Sequence, residues 1–331
     1  MVQMDGDPYI KHSLLTSMFF PQTRLFVAGN PKAAGTALRW WLLAAHGVDV
    51  TERTAQSSWS ESAAFQTVWD PRIDLTYTWG FLSDQQREDA LTATDVLTVQ
   101  PVRHPISRIF STWSGKYLTG EPYYTERLPS DFPNMPHTVD DESHIAELFE
   151  KFVEALYTAV TENDFQAADV HFWPQHGLLG RDPAGSALVL RQETMSEGLA
   201  TIEEHLRANG LDAGKAPHIN ETVVPYRNEL VSDRAVELAT VLYDGDFDRW
   251  QYSRERPPSS SRAVDIDWLN DVRGRNRRYG VIHRALRHQQ RELSRLRDEN
   301  GRLREREQEL VDSTSWKVTT PLRWVSDNVK R

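Results

Sequence analysis

Cysteine is absent from the 331 residues. Disulfides and thiolate-held metal sites are thereby excluded, and a reducing compartment fits the composition. Long apolar runs are missing too. Nothing approaches the ~18 successive apolar residues of a membrane span. The stretch 14–20 is short and is interrupted by Thr16 and Ser17, and residues 1–7 are acidic where an export signal needs a basic flank. A cytoplasmic protein that does not span a membrane is expected. No obvious cluster of metal ligands stands out.

Positive charge is scarce over most of the chain. Residues 273–331 hold 16 Lys and Arg against 8 Asp and Glu, leaving 22 against 40 elsewhere, so a tail of +8 follows a body of −18. A basic helical tail can meet nucleic acid, an anionic membrane or a protein partner, or simply be a solvated coiled-coil surface. The last reading is preferred for most of it, with no nucleic-acid partner. Hydrophobic residues at 39% suffice for one large α/β domain with appendages.

Hydrophobic patterning gives the order of elements. Residues 24–28 (RLFVA) read as a buried strand, 29–35 (GNPKAAG) as a turn and 36–46 (TALRWWLLAAH) as a helix. A second unit starts near Asp95, with DVLTVQPV as a strand and 105–116 as a helix that has Pro near its first turn. Residues 120–143 read as a long loop, and 145–160 as an amphipathic helix. A third strand is expected at 187–191 (ALVLR), with helices at 198–209 and 232–243. RPPSSSRA at 256–263 reads as a linker. The expected division is a catalytic domain at 1–256, a linker at 257–272, a coiled-coil helix at 273–312 and an amphipathic basic tail at 313–331.

The coiled-coil expectation rests on two interleaved registers. Ile282, Gln289, Leu296, Leu303 and Leu310 take d positions, and Leu286, Leu293, Asn300 and Glu307 take a positions. Asn300 at a favours a parallel dimer. Gly301 and Glu307 weaken the pattern, and a single helix packed on the body is the alternative. The tail mixes Trp316, Val318, Leu322, Trp324 and Val325 with Lys and Arg. Such a segment suits a membrane interface or docking on the body.

Two motifs carry chemistry. Asn30-Pro31-Lys32-Ala33-Ala34-Gly35-Thr36 joins a strand to a helix. A helix start offers unpaired N–H groups and a positive dipole end, and small residues let backbone wrap a phosphate. Lys32 adds a mobile cation, Thr36 a hydroxyl, and Pro31 a rigid approach. The spacing differs from the nucleotide-triphosphatase loop, where the lysine adjoins the Ser or Thr; here Lys32 precedes Thr36 by four positions. The second motif is RHPISRIFS, residues 103–111. Arg103 at a strand end and Ser111 about two helical turns on can converge on one phosphate dianion. An ordinary strand-helix turn and a sheet-capping arginine are the bland alternatives to each motif taken alone.

The first motif resembles the 5′-phosphosulfate loop of sulfotransferases, P-K-x-x-G-[ST], and the second their 3′-phosphate motif, V-R-[DH]-P-x-x-R-x-x-S. DVHFWPQ at 169–175, LVLRQETMSEGL at 188–199 and NETVVPY at 220–226 resemble the carbohydrate group of that family, the heparan 2-O and chondroitin type, in a bacterial form. The resemblance covers about residues 22–252. It implies a P-loop-like parallel sheet flanked by helices, followed here by the C-terminal coiled-coil helix. It further implies the donor 3′-phosphoadenosine 5′-phosphosulfate, the product adenosine 3′,5′-bisphosphate, no metal, and a hydroxyl acceptor on a glycan or glycolipid. Pro31, Lys32, Ala33, Ala34, Gly35, Thr36, Arg103 and Ser111 would bind the donor, with Asn220 and Thr222 on a late loop. Lys32 would also stabilise the leaving phosphate.

The base departs from the pattern. Many relatives carry a histidine about two dozen residues before the motif arginine, but residues 77–81 here read YTWGF. His171 is the replacement preferred by residue type; Asp70, Asp74 and Asp84 are nearer in sequence, and an ordinary structural role is open for each. His104 reads as support to the motif. Trp40, Trp41, Trp79, Trp113 and Trp173 read mostly as core. The rival functions are a non-catalytic coiled-coil scaffold with a vestigial body, favoured by the missing histidine, and a P-loop kinase or NTPase, opposed by the loop spacing.

Overall fold

A computed structural model describes residues 16–48, 77–125, 132–133, 135–178, 187–216 and 222–319. The chain divides into two compact units, Met1–Arg273 and Gly274–Arg331.

The first unit is built on a four-stranded sheet in the order β1 (Met18–Phe20), β2 (Leu25–Val27), β3 (Leu97–Val102), β4 (Leu188–Arg191). β2, β3 and β4 run parallel, in the register Val27 to Val99 and Val99 to Leu188. β1 pairs antiparallel with β2, Phe19 facing Phe26. The sheet is therefore mixed, where a wholly parallel one was expected. A tight connection explains the antiparallel edge: only residues 21–24 separate β1 from β2, too few for the crossover that a parallel pair needs.

Alternation along the strands sends apolar side chains to both faces. Met18, Phe20, Leu25, Val27 and Val99 pack with Leu38, Trp41 and Leu42 of α1 (Gly35–Ala45). Phe19, Phe26, Ala28 and Val102 pack with Trp79, Leu82, Trp250 and Ala90, the last from α2 (Asp84–Thr92). Ser83 opens α2 with a reciprocal capping box to Gln86. A third cluster joins α3 (Pro105–Thr112), α4 (Glu142–Asn163) and α6 (Asp233–Leu242) around Phe110, Phe149, Phe152 and Leu238. Between them in sequence, α5 (Met195–Ala208) adds Ile202 and Leu206 to the α1 face. Trp41, Trp79 and Trp113 are buried core, as the sequence suggested.

The helix expected to reach residue 116 stops being α-helical at Thr112 and continues as one π-helical turn, Trp113–Leu118. The long-loop expectation covers a short helix at Pro122–Thr125 and several positions outside the described residues. The segment read as a linker is held on the body: Arg256 donates to the Val231 carbonyl at 2.9 Å, and Ser260 N–H to the Tyr226 carbonyl at 2.9 Å.

Ile266–Asp312 forms α7, a helix of 47 residues, most of which lies in the second unit. In that unit Ile282, Leu286, Leu293, Leu296, Leu303 and Leu310 are exposed. A helical pairing of two chains is not shown. Ser313 caps a short following helix, Thr314–Val318, on which Trp316 and Val318 are exposed; the remainder of the basic tail lies outside the described residues. Among the described residues no helix is long and apolar enough to cross a membrane.

Candidate active site

The two phosphate-type motifs leave the carboxyl ends of neighbouring parallel strands. β2 feeds the loop at 28–34, and β3 feeds Arg103. Ligands of open α/β sheets bind at such strand ends.

The first loop has a backbone that side chains rarely adopt. Lys32 has φ 65° and Ala34 has φ 58°, both left-handed, with the intervening Ala33 outside that region. Left-handed residues other than glycine store strain and cluster at functional sites. The Ala33 N–H turns back onto the Asn30 carbonyl at 3.4 Å, which closes the turn. No side chain caps α1: Ala34 is its N-cap and makes no side-chain hydrogen bond. The N–H groups of the first turn and the dipole end are thus left for an anion. Thr36 lies in that first turn.

Long-range hydrogen bonds hold the loop against the second motif. Asn30 Nδ2 donates to the Pro101 carbonyl at 2.8 Å and to Gln175 Oε1 at 2.9 Å. Gln175 Oε1 also accepts the Arg103 N–H at 3.0 Å, and Gln175 Nε2 donates to the Arg103 carbonyl at 2.7 Å. Arg108 is buried and donates to the carbonyls of Pro31 at 3.0 Å and Trp173 at 2.9 Å. Asp246, fully buried, fixes Gln175 in turn by accepting its N–H at 2.9 Å. Pro31, Asn30 and Arg103 are therefore spaced by side chains, not by loose loop contacts.

Arg103 donates through Nε to Ser107 Oγ at 3.1 Å. Burial pushes its guanidinium down to about 10, against a nearby Glu193 charge that works the other way. Ser111 is buried on α3. His104 is tied to other segments: its N–H donates to Glu193 at 2.8 Å and its ring nitrogen Nε2 bonds the Ser253 carbonyl at 2.9 Å.

Lys32 lies among other cations. Burial, aided by the charges of Lys116 and Arg103 and opposed by Glu121, lowers its ammonium to about 7. Its Nζ rests over Gly115 of the π-helical turn, where Thr222 also approaches. Thr222 brings its methyl carbon to this turn; Asn220 lies outside the described residues.

His171 meets the same site from a different segment. Asp169 Oδ1 lies 2.5 Å from His171 Nδ1 and accepts the His171 N–H at 3.0 Å. Against a carboxylate, Nδ1 carries the proton and Nε2 keeps its lone pair. Burial, then the charge of Lys116, drives the imidazole down to about 4 although Asp169 opposes both; Lys32 adds to the lowering. Burial alone would raise the Asp169 carboxyl, but its bonds to His171 and the Lys116 charge hold it below the usual value. Tyr124 sets its ring edge-on to the imidazole, centroids 5.4 Å apart, and Lys116 Nζ sits 3.5 Å from the Tyr124 centroid.

The other candidate bases fare differently. Asp84 is at the start of α2 with a fully exposed carboxylate paired to Arg87. Asp70 and Asp74 lie outside the described residues. Among the described residues no group of three or more His, Asp or Glu could hold a metal ion. Gln175, Arg108, Gly115 and Lys116 escaped the reading of the sequence. Gln175 and Arg108 stood within quoted motifs, yet their partners are 65 to 145 positions away.

The fold is that of an α/β protein with two loop motifs at adjacent strand ends. Residues 18–253 match the sulfotransferase family, and the chain belongs to it. No curated protein and no solved structure is similar enough to count as a match.

Proposed function

We propose that this sulfotransferase moves a sulfuryl group from 3′-phosphoadenosine 5′-phosphosulfate to a hydroxyl of a glycan or glycolipid. The observation that carries the donor reading is the side-chain brace of Asn30, Gln175 and Arg108, which fixes two anion-binding motifs at adjacent strand ends. One donor with phosphates at both ends is the ligand that this pair of motifs supports. When bound, it supplies an activated sulfuryl group whose bond to the 5′-phosphate oxygen breaks as the bond to the acceptor oxygen forms.

The chain's own residues divide the work. Backbone N–H groups of Ala34 to Thr36, on an uncapped helix start, hold the 5′-phosphate, the Ala33 N–H being turned onto the Asn30 carbonyl. Arg103 and Ser111 hold the 3′-phosphate, with Asn220 and Thr222 completing the donor contacts. Lys32 protonates or hydrogen-bonds the oxygen that gains charge. His171 Nε2, neutral above about pH 4, takes the proton of the acceptor hydroxyl while Asp169 fixes its tautomer. This assignment fills the role left vacant in the segment YTWGF. The reading requires no metal.

The exposed apolar stripe of α7 supports a homo-oligomer formed through the long helix. The exposed Trp316 and Val318 beside Lys317 support contact with the inner face of a membrane. On that reading, removal of residues 313–331 releases the protein from membranes.

Calorimetric titration with adenosine 3′,5′-bisphosphate tests the central claim. Tight binding to the wild type, lost in Arg103→Ala, is the expected result. No binding to either protein overturns it and leaves a non-catalytic scaffold.

A further inference from the structure

The π-helical turn Trp113–Leu118 sits in the middle of the site, although neither phosphate motif includes it. Its backbone carries the wider hydrogen bond of such a turn: Glu121 N–H donates to the Lys116 carbonyl, five residues back, at 2.9 Å. A π-turn inserts one residue into an α-helix and is found mostly where function requires it, since it costs regular hydrogen bonding. Here the local sequence is Trp113-Ser114-Gly115-Lys116, in which Trp113 and Ser114 are buried. Gly115 is the residue without a side chain, and glycine in a helix interior is disfavoured.

What occupies the missing side chain's place is Lys32. A Cβ added at Gly115 would stand 2.9 Å from Lys32 Nζ and 4.0 Å from its Cε, with Thr222 Cγ2 at 3.9 Å. The backbone of the turn therefore forms a flat seat for the ammonium. Lys32 itself leaves a left-handed backbone at φ 65°, so the start of its side chain is directed by the loop and its end by the turn. The next residue, Lys116, is held by Glu121 at 3.9 Å and the Tyr124 ring.

We propose that Gly115 is a positioning residue: its bare backbone seats the Lys32 ammonium at the point of sulfuryl transfer. The role rests on the donor reading given above. Lysine is flexible at its far end, so a methyl group at 115 displaces Nζ with little disturbance of the fold. The fold gains a better helix former, while the ammonium loses its place. Opposite effects on stability and on chemistry distinguish a seat from ordinary packing.

The test uses the full chain as wild type, Gly115→Ala, Lys32→Met and the double variant. The first readout is independent of the donor: acylation of Lys32 by a succinimidyl ester at pH 6 to 9, followed by peptide mass spectrometry. Burial holds the wild-type amine at about 7, and Gly115→Ala is expected to move the midpoint upward as Nζ shifts toward water. An unmoved midpoint overturns the seat. The second readout is release of sulfate from 3′-phosphoadenosine 5′-phosphosulfate, expected to fall at least about tenfold in Gly115→Ala with bisphosphate affinity kept within about threefold. In the Lys32→Met background the same substitution is expected to cost nothing further, because both changes remove one interaction. Full independent losses in the double variant overturn the proposal, as does unfolding of Gly115→Ala at ordinary temperature. Wild-type protein that binds no bisphosphate, yet shows the acylation shift, overturns the donor reading and leaves the contact between Gly115 and Lys32 standing without its catalytic role.

Discussion

Gln175 and Arg103 exchange two hydrogen bonds across 72 positions of sequence, the amide oxygen taking the Arg103 N–H at 3.0 Å and the amide nitrogen giving to its carbonyl at 2.7 Å. The same oxygen takes Asn30 Nδ2. A fully buried side chain with three such bonds is costly to replace by an apolar one, since Arg103 N–H and C=O lose their partner. Gln175→Leu is expected to destabilise the first unit by ~2–4 kcal/mol. It also frees Arg103 from the β2 loop, so bisphosphate affinity is expected to fall more than tenfold. Urea unfolding and calorimetry together check this. A stable variant with full affinity would refute the bracing role.

The Lys32 ammonium gives a second prediction. Its affinity for protons in the free protein is held down to about 7 by burial and by neighbouring cations. An arriving phosphate dianion favours the charged amine. Binding of adenosine 3′,5′-bisphosphate at pH 8 is therefore expected to draw in a proton. Titrations in buffers of different ionisation enthalpy read that uptake directly. Lys32→Met is expected to abolish it. In the free protein the sign for stability follows from linkage. The unfolded lysine binds more protons than the folded one between about 7 and its ordinary 10.5, so this group's contribution to stability rises with pH across that window.

How much of this site could be read from the sequence depends on the range of each interaction. The loops at 30–36 and 103–111 were legible because strand, turn and helix signals are local and the phosphate-binding chemistry lies in adjacent residues. β1 was not: Met18-Phe19-Phe20 shows no polar alternation, because both of its faces are covered. The π-turn was also hidden, since residues 105–116 keep an unbroken helical pattern and one inserted residue leaves no mark in composition. His171 was preferred by residue type alone; the Asp169 contact that gives it a defined tautomer comes from the 3₁₀ turn Val170–Phe172. The family match spans residues 18–253, whereas the brace of Gln175 is visible only once the chain is folded.

The imidazole at 171 supplies the third prediction. Two charges act on it in opposite directions: Lys116 lowers its proton affinity and Asp169 raises it, while burial lowers it most. Removing the Lys116 charge therefore raises the His171 value. In sulfate release from 3′-phosphoadenosine 5′-phosphosulfate, the acid limb of the rate profile is expected near pH 4 in the wild type and at higher pH in Lys116→Met. Asp169→Asn acts the other way on the limb and also removes the acceptor that orients Nδ1–H, so its maximal rate is expected to fall about a hundredfold. An acid limb that ignores Lys116 would mean that another group is the base.

The long helix carries the last prediction. In the second unit Ile282, Leu286, Leu293, Leu296, Leu303 and Leu310 present exposed apolar side chains at spacings of four, seven and three. Apolar side chains so arranged on a solvated helix gain by pairing with a second copy; in the pairing proposed above, Asn300 would take an a position and favour a parallel dimer by bonding its own counterpart. Light scattering of the full chain is expected to give a dimer, and Leu293→Lys with Leu303→Lys a monomer. Asn300→Ile removes the polar register signal, so a higher or mixed oligomer with a raised melting temperature is expected. The first unit retains its own buried clusters in either case, and bisphosphate binding should persist in the monomeric variant. A wild-type monomer at working concentration would remove the coiled coil and leave α7 as a solitary helix.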